Sequence, residues 1–328
     1  MYFHMDHFAR YLVRRIFSAV MLVFLVLTLN FFIIHLAPGD PVTIMVGLEN
    51  PSKQMIEALK RRYGLDQPII VQYLRYMGNL LRGDFGYSYV YDQPSWKMIK
   101  QRIGPTLILT ITSSVIAFLI GTYLAIFVSK SYKLRNDTIV SIISYILYAT
   151  PSFWLGLIMI LVFSAKLRWF PTSGMFNLRE SYEGLRKFFD LLHHMILPAT
   201  TLILVQMPVF YRVTRASIIQ NYKQDYVTTL TAIGVTRERL FRRYVIRNAI
   251  IPSLTVFGIT MGFSVTGATI IETVFAWPGM GRLLLDAIYR RDYQLILGIY
   301  FLMAVFISVA MIVTDLVIAF VDPRIRLT

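Results

Sequence analysis

Few residues of this sequence have the type and spacing needed for covalent or metal chemistry. Ser264 lies in Gly262–Gly267, whose spacing differs by one residue from the Gly-x-Ser-x-Gly pattern of a nucleophile elbow. It falls inside an apolar run with no base nearby. His193 and His194 are adjacent, and adjacent side chains on a helix project about 100° apart, so we do not predict a metal site. The chain has no cysteine and no Gly-Lys dipeptide, which excludes a thiol nucleophile and a Walker A phosphate loop. We therefore expect no catalytic residue and no bound metal, and any ATP hydrolysis must occur on another polypeptide.

The most distinctive charged feature is a basic, amphipathic segment, Tyr211–Pro252, which lies between two long apolar runs. Its only acids are Asp225 and Glu238. Its basic residues are Arg212, Arg215, Lys223, Arg237, Arg239, Arg242, Arg243 and Arg247. A segment of this size needs a protein partner or the lipid surface to cover its apolar side. The pattern indicates a membrane subunit that a cytoplasmic machine moves.

Composition supports a membrane protein. Hydrophobic residues make up 56% of the 328 residues, charged residues only 16%, and the mean hydropathy is +0.58. A soluble domain carries about 25% charged residues. The net charge of +15 is compatible with nucleic-acid binding, but in a multi-span protein it more often reports basic loops that face anionic lipid. We predict contact with lipid and none with nucleic acid.

Six apolar segments are long enough to cross a bilayer, which requires roughly 20 residues. They are Ile16–Pro38, Ile103–Ser129, Thr138–Ala165, Leu191–Tyr211, Asn248–Ile271 and Tyr293–Val321. The sixth contains one acid, Asp315, which we expect near the inner end, where it would pair with a basic residue, line a cavity or lie at the inner interface. The sequence predicts an all-α integral membrane protein with both termini on the same side. Basic residues beside the short loops place that side in the cytoplasm.

The long outer segment between the first two spans has structure of its own. The pattern predicts a helix capped by Ser52 that runs to about Tyr63 and stops at Gly64, then a second helix over Ile69–Leu81. These helices would form either a small lid over the external mouth or a surface-bound spacer. We divide the chain into residues 1–102, the five-span core 103–321, and a cytoplasmic tail 322–328.

Several residues within or next to the spans are candidates for the pathway or for helix packing. Pro151 and Pro198 remove backbone donors and can kink helices around a cavity. Glu272, at the outer end of the fifth span, would either line the pathway or be a solvated interfacial acid. Gly258 and Gly262, four residues apart, allow close helix packing, either within this chain or against a second subunit.

A set of short motifs, in order along nearly the whole chain, resembles one family. They are Tyr11–Arg15 (YLVRR), Leu36–Pro41 (LAPGDP), Tyr63–Pro68 (YGLDQP), Gln72–Arg75 (QYLR), Leu81–Asp84 (LRGD), Pro151–Gly156 (PSFWLG), Thr214–Ser217 (TRAS), Arg247–Pro252 (RNAIIP), Glu272–Gly279 (ETVFAWPG) and Asp322–Arg326 (DPRIR). The chain resembles the membrane permeases of ABC importers, in the dipeptide/oligopeptide (DppB/OppB-like) branch. This resemblance implies the type I importer permease fold with six transmembrane helices.

The resemblance also implies that the loop between spans four and five carries a coupling helix that docks on an ATPase. Thr228, Thr229 and Leu230 occupy the positions of the Glu-Ala-Ala triplet of general importers, while Ala232 and Gly234 fit its Ala-x-Gly ending. The implied coupling residues are Asp225, Tyr226, Thr228, Thr229, Leu230, Ala232, Gly234, Val235, Arg237, Leu240 and Phe241. Gly234 would break the coupling helix. Thr236 would cap a following helix, Arg237 to about Tyr244, that offers Leu240, Phe241 and Tyr244 to the partner.

Two of the family motifs supply further pathway or gate candidates. They are Pro151, Phe153, Trp154, Glu272, Phe275, Trp277, Pro278 and Gly279. The implied partners are a second homologous permease, two ATPase subunits or domains that bind ATP and Mg²⁺, and an extracytoplasmic binding protein. The implied location is a bacterial or archaeal cell membrane.

The implied substrates are di- or oligopeptides, with nickel, glutathione or oligosaccharide as alternatives. An ion-driven secondary transporter is the main rival from another class. It usually shows internal repeats, broken midplane helices and buried charges, none of which the sequence indicates. A membrane-embedded enzyme is the second rival and needs a nucleophile–base or metal constellation, which the sequence also lacks.

Overall fold

The fold is given by a computed structural model that describes residues 2–36, 53–88, 90–130, 134–180, 182–263 and 269–321. Some predicted features lie outside these residues, namely the stretch 37–52 with its cap at Ser52, the serine at position 264, and the tail 322–328.

The described residues are mostly helical, as the sequence predicts. The helices are α1 (Tyr2–Leu36), α2 (Lys53–Tyr63), α3 (Ile69–Leu81), α4 (Ser95–Lys130), α5 (Leu134–Ala149), α6 (Ser152–Met159), α7 (Gly184–Tyr222), α8 (Asp225–Ala232), α9 (Arg237–Leu240), α10 (Ile246–Gly262), α11 (Thr269–Val274), α12 (Met280–Tyr289) and α13 (Tyr293–Val321). Two π-helical turns, Ile160–Lys166 and Phe241–Val245, continue α6 and α9. In the described residues, five helices are long and apolar enough to cross a membrane, and a bent pair can supply a sixth span.

The third predicted span, Thr138–Ala165, is not one straight helix. Its two halves, α5 and α6, meet at an angle of 100°. The break falls at Thr150–Pro151, where proline removes a backbone donor and the residue before it is driven out of the helical region. Pro151 thus bends the chain as predicted. Pro198 does not break its helix, because α7 continues through it and through Pro208.

The fifth predicted span, Asn248–Ile271, has different bounds in the structure. Its helix ends at Gly262, and Thr269–Val274 is a separate short helix, α11. At its other end, α9 and the π-helical turn run without a break into α10, so the separate helix predicted for Arg237 to Tyr244 is part of the span. An apolar pattern marks the buried length but not the point where a helix stops.

The outer segment contains the two helices that the sequence predicts. Gly64 follows α2 with a positive φ of 67°, the left-handed conformation that ends many helices. Helix α3 packs against α1, where the Tyr73 hydroxyl lies 2.7 Å from the Thr28 hydroxyl and the Tyr73 ring contacts those of Phe31 and Phe32. The role of these helices as a lid stays a prediction.

A short antiparallel pairing follows α3, between strands β1 (Tyr87–Ser88) and β2 (Gln93–Pro94). The sequence gives no strand signal there. The buried Ser88 hydroxyl bonds the buried Asp292 carboxylate, which also accepts the Leu295 amide at 3.2 Å in the first turn of α13. This contact fastens the outer segment to the start of the last span.

The two glycines predicted to pack helices do so within this chain. A methyl group on Gly258 would collide with Thr314, and one on Gly262 would lie 3.5 Å from Ala310. Both neighbours are on α13, so the glycines allow α10 and α13 to approach closely. The alternative in which they face a second subunit does not fit this packing.

Candidate functional site

The basic segment folds into a compact unit that we call the basic hairpin, residues Asp225–Val245. Helix α8 ends in a Schellman motif: the Gly234 amide donates to the Thr231 carbonyl at 3.0 Å, and the Val235 amide donates to the Leu230 carbonyl at 3.0 Å. Gly234 has a φ of +81°, which this motif requires and glycine adopts without strain. The chain therefore reverses at Gly234, the position where the sequence predicts a break.

One face of the basic hairpin is buried. Leu240 and Phe241 are 5% and 3% exposed, and they form a cluster with Ile218, Val227, Val245 and Ala249. Phe241 also stacks on Tyr222 at the end of α7, with ring centres 6.1 Å apart. The prediction that Leu240, Phe241 and Tyr244 face a partner is wrong for the first two, and Tyr244 packs against the same cluster. Their side chains instead fix the hairpin to the spans, because a hairpin this short cannot bury its apolar face alone.

The other face of the basic hairpin is open. The exposed predicted residues are Asp225, Thr228, Thr229, Ala232, Gly234 and Arg237. Tyr226, Leu230 and Val235 are half-buried and pack against the cluster. Thr236 precedes α9 but makes no side-chain capping bond; its carbonyl accepts the Leu240 amide at 2.9 Å.

The sequence reasoning missed Ile233, which is 71% exposed beside Gly234 at the end of α8. This exposed apolar side chain is available for contact with a partner. Its signal in the sequence is an isolated isoleucine immediately before the helix-ending glycine.

Charged contacts tie the basic hairpin and its neighbours together. Lys130, the last residue of α4, lies 3.2 Å from Glu238, which also pairs with Arg242. These pairs are exposed, and each contributes little on its own. Near the start of α5 and the end of α7, Arg215 of α7 donates two hydrogen bonds to Asp137 of α5, one of them 2.6 Å long. The sequence pattern did not predict these contacts of Glu238 and Asp137.

The Glu272–Gly279 motif forms a closed corner rather than a pathway wall. Glu272 is fully buried; it accepts a hydrogen bond from the Thr106 hydroxyl at 2.6 Å and another from the Arg282 amide at 3.1 Å. Thr106 in turn accepts the Met280 amide at 2.7 Å. The carboxylate and the hydroxyl therefore satisfy the first backbone donors of α12, as a capping group does. Burial raises the pKa of the Glu272 carboxyl, and these hydrogen bonds oppose the shift.

Both interpretations of Glu272 offered by the sequence, a pathway residue and a solvated acid, are wrong for this buried geometry. Phe275 and Trp277 are enclosed as well, at 2% and 0% exposure, and the Trp277 indole donates to the Pro105 carbonyl at 2.9 Å. Pro278 is half-buried. Gly279 has no room for a side chain, because a methyl group there would collide with the Glu272 carboxylate.

The other pathway candidates lie at the α5–α6 break. Phe153 and Trp154 are 47% and 52% exposed just after Pro151. Two residues further on, Gly156 packs against α11, where an added methyl group would lie 3.2 Å from Phe275. Phe153 and Trp154 are thus exposed, while Gly156 of the same helix packs against the motif that follows Glu272.

The remaining polar candidates have structural partners. Asp315 pairs with Arg15 at 3.0 Å, which confirms the predicted pairing with a basic residue. His193 bonds the Trp169 carbonyl at 2.9 Å, and His194 lies 3.2 Å from Asp190. Within the described residues, no group of three or more possible ligands is placed to hold a metal ion.

Comparisons with known proteins agree with this architecture. A model of binding-protein-dependent transport system inner membrane components matches residues 117–327, and a model of the N-terminal part of such membrane components matches residues 8–110. In solved structures, a chain of the MetNI methionine ABC transporter, in inward-facing conformations, shares the fold with a TM-score of 0.53. It is 16% identical, and the match covers 70% of this chain and 98% of that one.

Three curated relatives match over almost their whole length. The oligopeptide transport system permease protein AppB of Bacillus subtilis is 35% identical, over 97% of this chain and 99% of that protein. The di/tripeptide transport system permease protein DppB of Pseudomonas aeruginosa is 34% identical, over 96% and 98%. The glutathione transport system permease protein GsiC of Escherichia coli K12 is 35% identical, over 96% and 98%.

The fold and the bundle of apolar helices define a multi-pass membrane protein with the type I ABC permease fold. Within that class, the chain belongs to the family of binding-protein-dependent transport system inner membrane components.

Proposed function

We propose that this chain is the permease subunit of an ATP-driven importer of di- and oligopeptides. One observation carries the proposal: the basic hairpin buries one face in the subunit core and leaves Ile233 and the open face of α8 uncovered. This arrangement suits a docking element that passes movement to the spans. The peptide substrate is supported by the names of relatives at 34% and 35% identity over nearly the full chain.

In this proposal the subunit forms half of the translocation pathway. A second homologous permease supplies the other half, and Phe153 and Trp154 face the shared path. Two ATPase subunits or domains bind ATP and Mg²⁺, and one of them docks on the basic hairpin of this chain. An extracytoplasmic binding protein delivers substrate onto the outer segment. The chain itself carries out no covalent chemistry.

The proposed coupling depends on rigidity. The buried cluster joins α8 and α9 to Ile218 of α7, Ala249 of α10 and Ile126 of α4. ATP binding closes the ATPases, the basic hairpin moves with them, and three spans move with the hairpin because they share its apolar core.

The proposed orientation places the basic hairpin and both termini in the cytoplasm of a bacterial or archaeal cell. The basic residues near the short loops support this placement, since lysine and arginine accumulate on the cytoplasmic side. The hydrophobic outer faces of the spans contact lipid.

Glutathione is the second candidate substrate, and the GsiC relative at 35% identity supports it. It belongs to the same chemical class, since glutathione is a tripeptide with free carboxylates. Nickel and oligosaccharide remain weaker alternatives.

The test is import by the complete complex in proteoliposomes, with the binding protein added to the surrounding assay medium. We expect uptake of a labelled tripeptide that requires ATP and stops with vanadate. Uptake that persists without nucleotide but collapses with a protonophore would instead identify an ion-driven transporter and overturn the proposal.

A further inference from the structure

Arg212 stands apart from the other basic residues of its segment. It lies in α7, three residues before Arg215, and its guanidinium carbon sits 4.0 Å from the centre of the Tyr148 ring and 6.0 Å from that of Tyr145. Both distances are within the range of cation–π attraction. A basic residue grouped by sequence with the loop is therefore held between α7 and α5.

The side chain of Arg212 points toward the middle of the helix pair. Tyr148 follows Asp137 by eleven residues on α5, which is about 16 Å along a helix axis. The Asp137–Arg215 ion pair marks one end of the pair, and the guanidinium of Arg212 lies deeper than that. Side chains on a helix lean toward its N-terminus, which fits this direction for α7. An arginine that faced lipid would extend the other way, toward the nearest polar boundary.

The charge of Arg212 has no carboxylate partner among the contacts of the described residues. Its Nε is buried and donates no hydrogen bond there. Asp137, the acid on the facing helix, is held by Arg215, Tyr211 and Ser141. An ionised side chain at this depth without a counter-charge is costly, and such residues usually mark a pathway or bind a partner.

The aromatic pair beside Arg212 is open on one side. Tyr145 and Tyr148 are 58% and 53% exposed, although both lie within the α5 half of the broken span. With Asp137 and Ser141 they form a polar stripe at spacings of 4, 8 and 11 residues, which places them on one face of α5. Helix α5 thus presents a polar, partly open face next to an unbalanced cation.

We infer that Arg212, with Tyr145 and Tyr148, binds the carboxylate of the peptide during its passage through the membrane. Arginine suits this role because its planar guanidinium donates two parallel hydrogen bonds to a carboxylate and keeps its charge when partly buried. The tyrosine rings hold the guanidinium in place and supply hydroxyl donors at the same site. This inference rests on the proposed function and names the substrate group that the pathway recognises.

The test compares one tripeptide with its C-terminal amide, in proteoliposomes that contain the complete complex. Arg212→Gln removes the charge, and Arg14→Gln, an exposed arginine of α1, is the matched control. We expect Arg212→Gln to lower import of the free acid roughly tenfold relative to the amide, and Arg14→Gln to leave the ratio unchanged. Because the binding protein is the same in all samples, its own preference cancels in this ratio.

A second pair of variants tests the contribution of the aromatic ring at Tyr148. Tyr148→Phe keeps the ring and should retain most of the acid preference, whereas Tyr148→Leu should lose part of it. An unchanged acid-to-amide ratio in Arg212→Gln overturns the inference while leaving peptide import intact. Loss of assembly with the second permease in Arg212→Gln overturns it too, because the counter-charge would then belong to that subunit.

Lipid phosphate is the other anion of similar chemistry. If Arg212→Gln acts only in vesicles that contain anionic lipid, and equally on acid and amide, the ligand is a lipid headgroup and the inference is wrong. If the wild-type complex imports neither peptide, the proposed function falls and the inference falls with it.

Discussion

At the scale of single residues, several residues determine the local backbone, either by accepting its amide hydrogen bonds or by adopting an unusual dihedral angle. Glu272 and Thr106 accept the first amides of α12, and Gly234 adopts the left-handed conformation that closes α8. Each of these roles depends on one atom or one dihedral angle, so a small substitution is a sharp test of it.

Gly234→Val tests the Schellman motif. No atom lies within 4 Å of an added Cβ at this position, so the strain comes from the φ of +81° and not from a collision. We expect a local cost of about 1–3 kcal/mol, a displaced Ile233, and loss of ATP-driven import with normal membrane insertion. Import and insertion are measured together in membranes. Gly104→Val, at an open helical position of α4, is the control, and normal uptake by the Gly234 variant would contradict the proposed coupling.

Glu272→Gln tests the buried corner. The amide nitrogen of glutamine cannot accept the Arg282 amide or the Thr106 hydroxyl, so one buried donor is left without a partner. We expect a loss of about 1–3 kcal/mol in stability, seen as a lower melting temperature in detergent. Thr273→Ala, the exposed neighbour, should change the melting temperature little. Equal effects of the two changes would mean that the carboxylate is not a cap.

At the scale of elements, the important contacts join the basic hairpin and the broken span to the rest of the bundle. Helix α5 turns by 100° into α6 at Pro151, and its base is fixed to α7 by the Asp137–Arg215 pair. The face of α5 between these two points carries the tyrosines beside Arg212. An ion pair at one end of α5 and a bend at the other suit a helix that moves together with α7.

A double-mutant cycle tests the α5–α7 contact. Asp137→Asn and Arg215→Gln each leave one charged partner alone, and we expect each to lower stability by about 1–3 kcal/mol. The double variant should lose less than the sum, because neither charge is then stranded. Thermal unfolding of the four proteins gives the coupling energy, and additive losses would show that the pair does not hold the helices together.

At the scale of the whole molecule, the open face of the basic hairpin is left uncovered by the described part of the chain. Its buried face belongs to a cluster shared by three spans, while Ile233 projects outward. In the proposed function, movement imposed on this face would reach the bundle through these packed side chains.

Ile233→Asp tests whether the open face binds the ATPase. A charge at this exposed position should leave the subunit folded but weaken capture of the ATPase roughly tenfold or more, as for a central contact residue. Ile288→Asp, an exposed isoleucine on α12, is the matched control. Capture is measured by co-purification, and undiminished ATPase binding by the Ile233 variant would rule this surface out.

The sequence by itself determined the membrane class, the approximate spans, the helices of the outer segment and the break at Gly234. These features follow from local rules, because apolar runs, prolines and glycines act on the backbone wherever they stand. The family resemblance also depended on short local motifs, and the helix that it predicted in this loop is present as α8.

Only the tertiary structure decided which face of each element is covered. It placed Leu240 and Phe241 inside, exposed Ile233, buried Glu272 under α12 and brought Arg212 to Tyr148. Burial and charge pairing depend on residues far apart in the chain, such as Thr106 with Glu272 or Asp137 with Arg215. A one-dimensional pattern does not specify these contacts, because they arise only when the helices pack against one another.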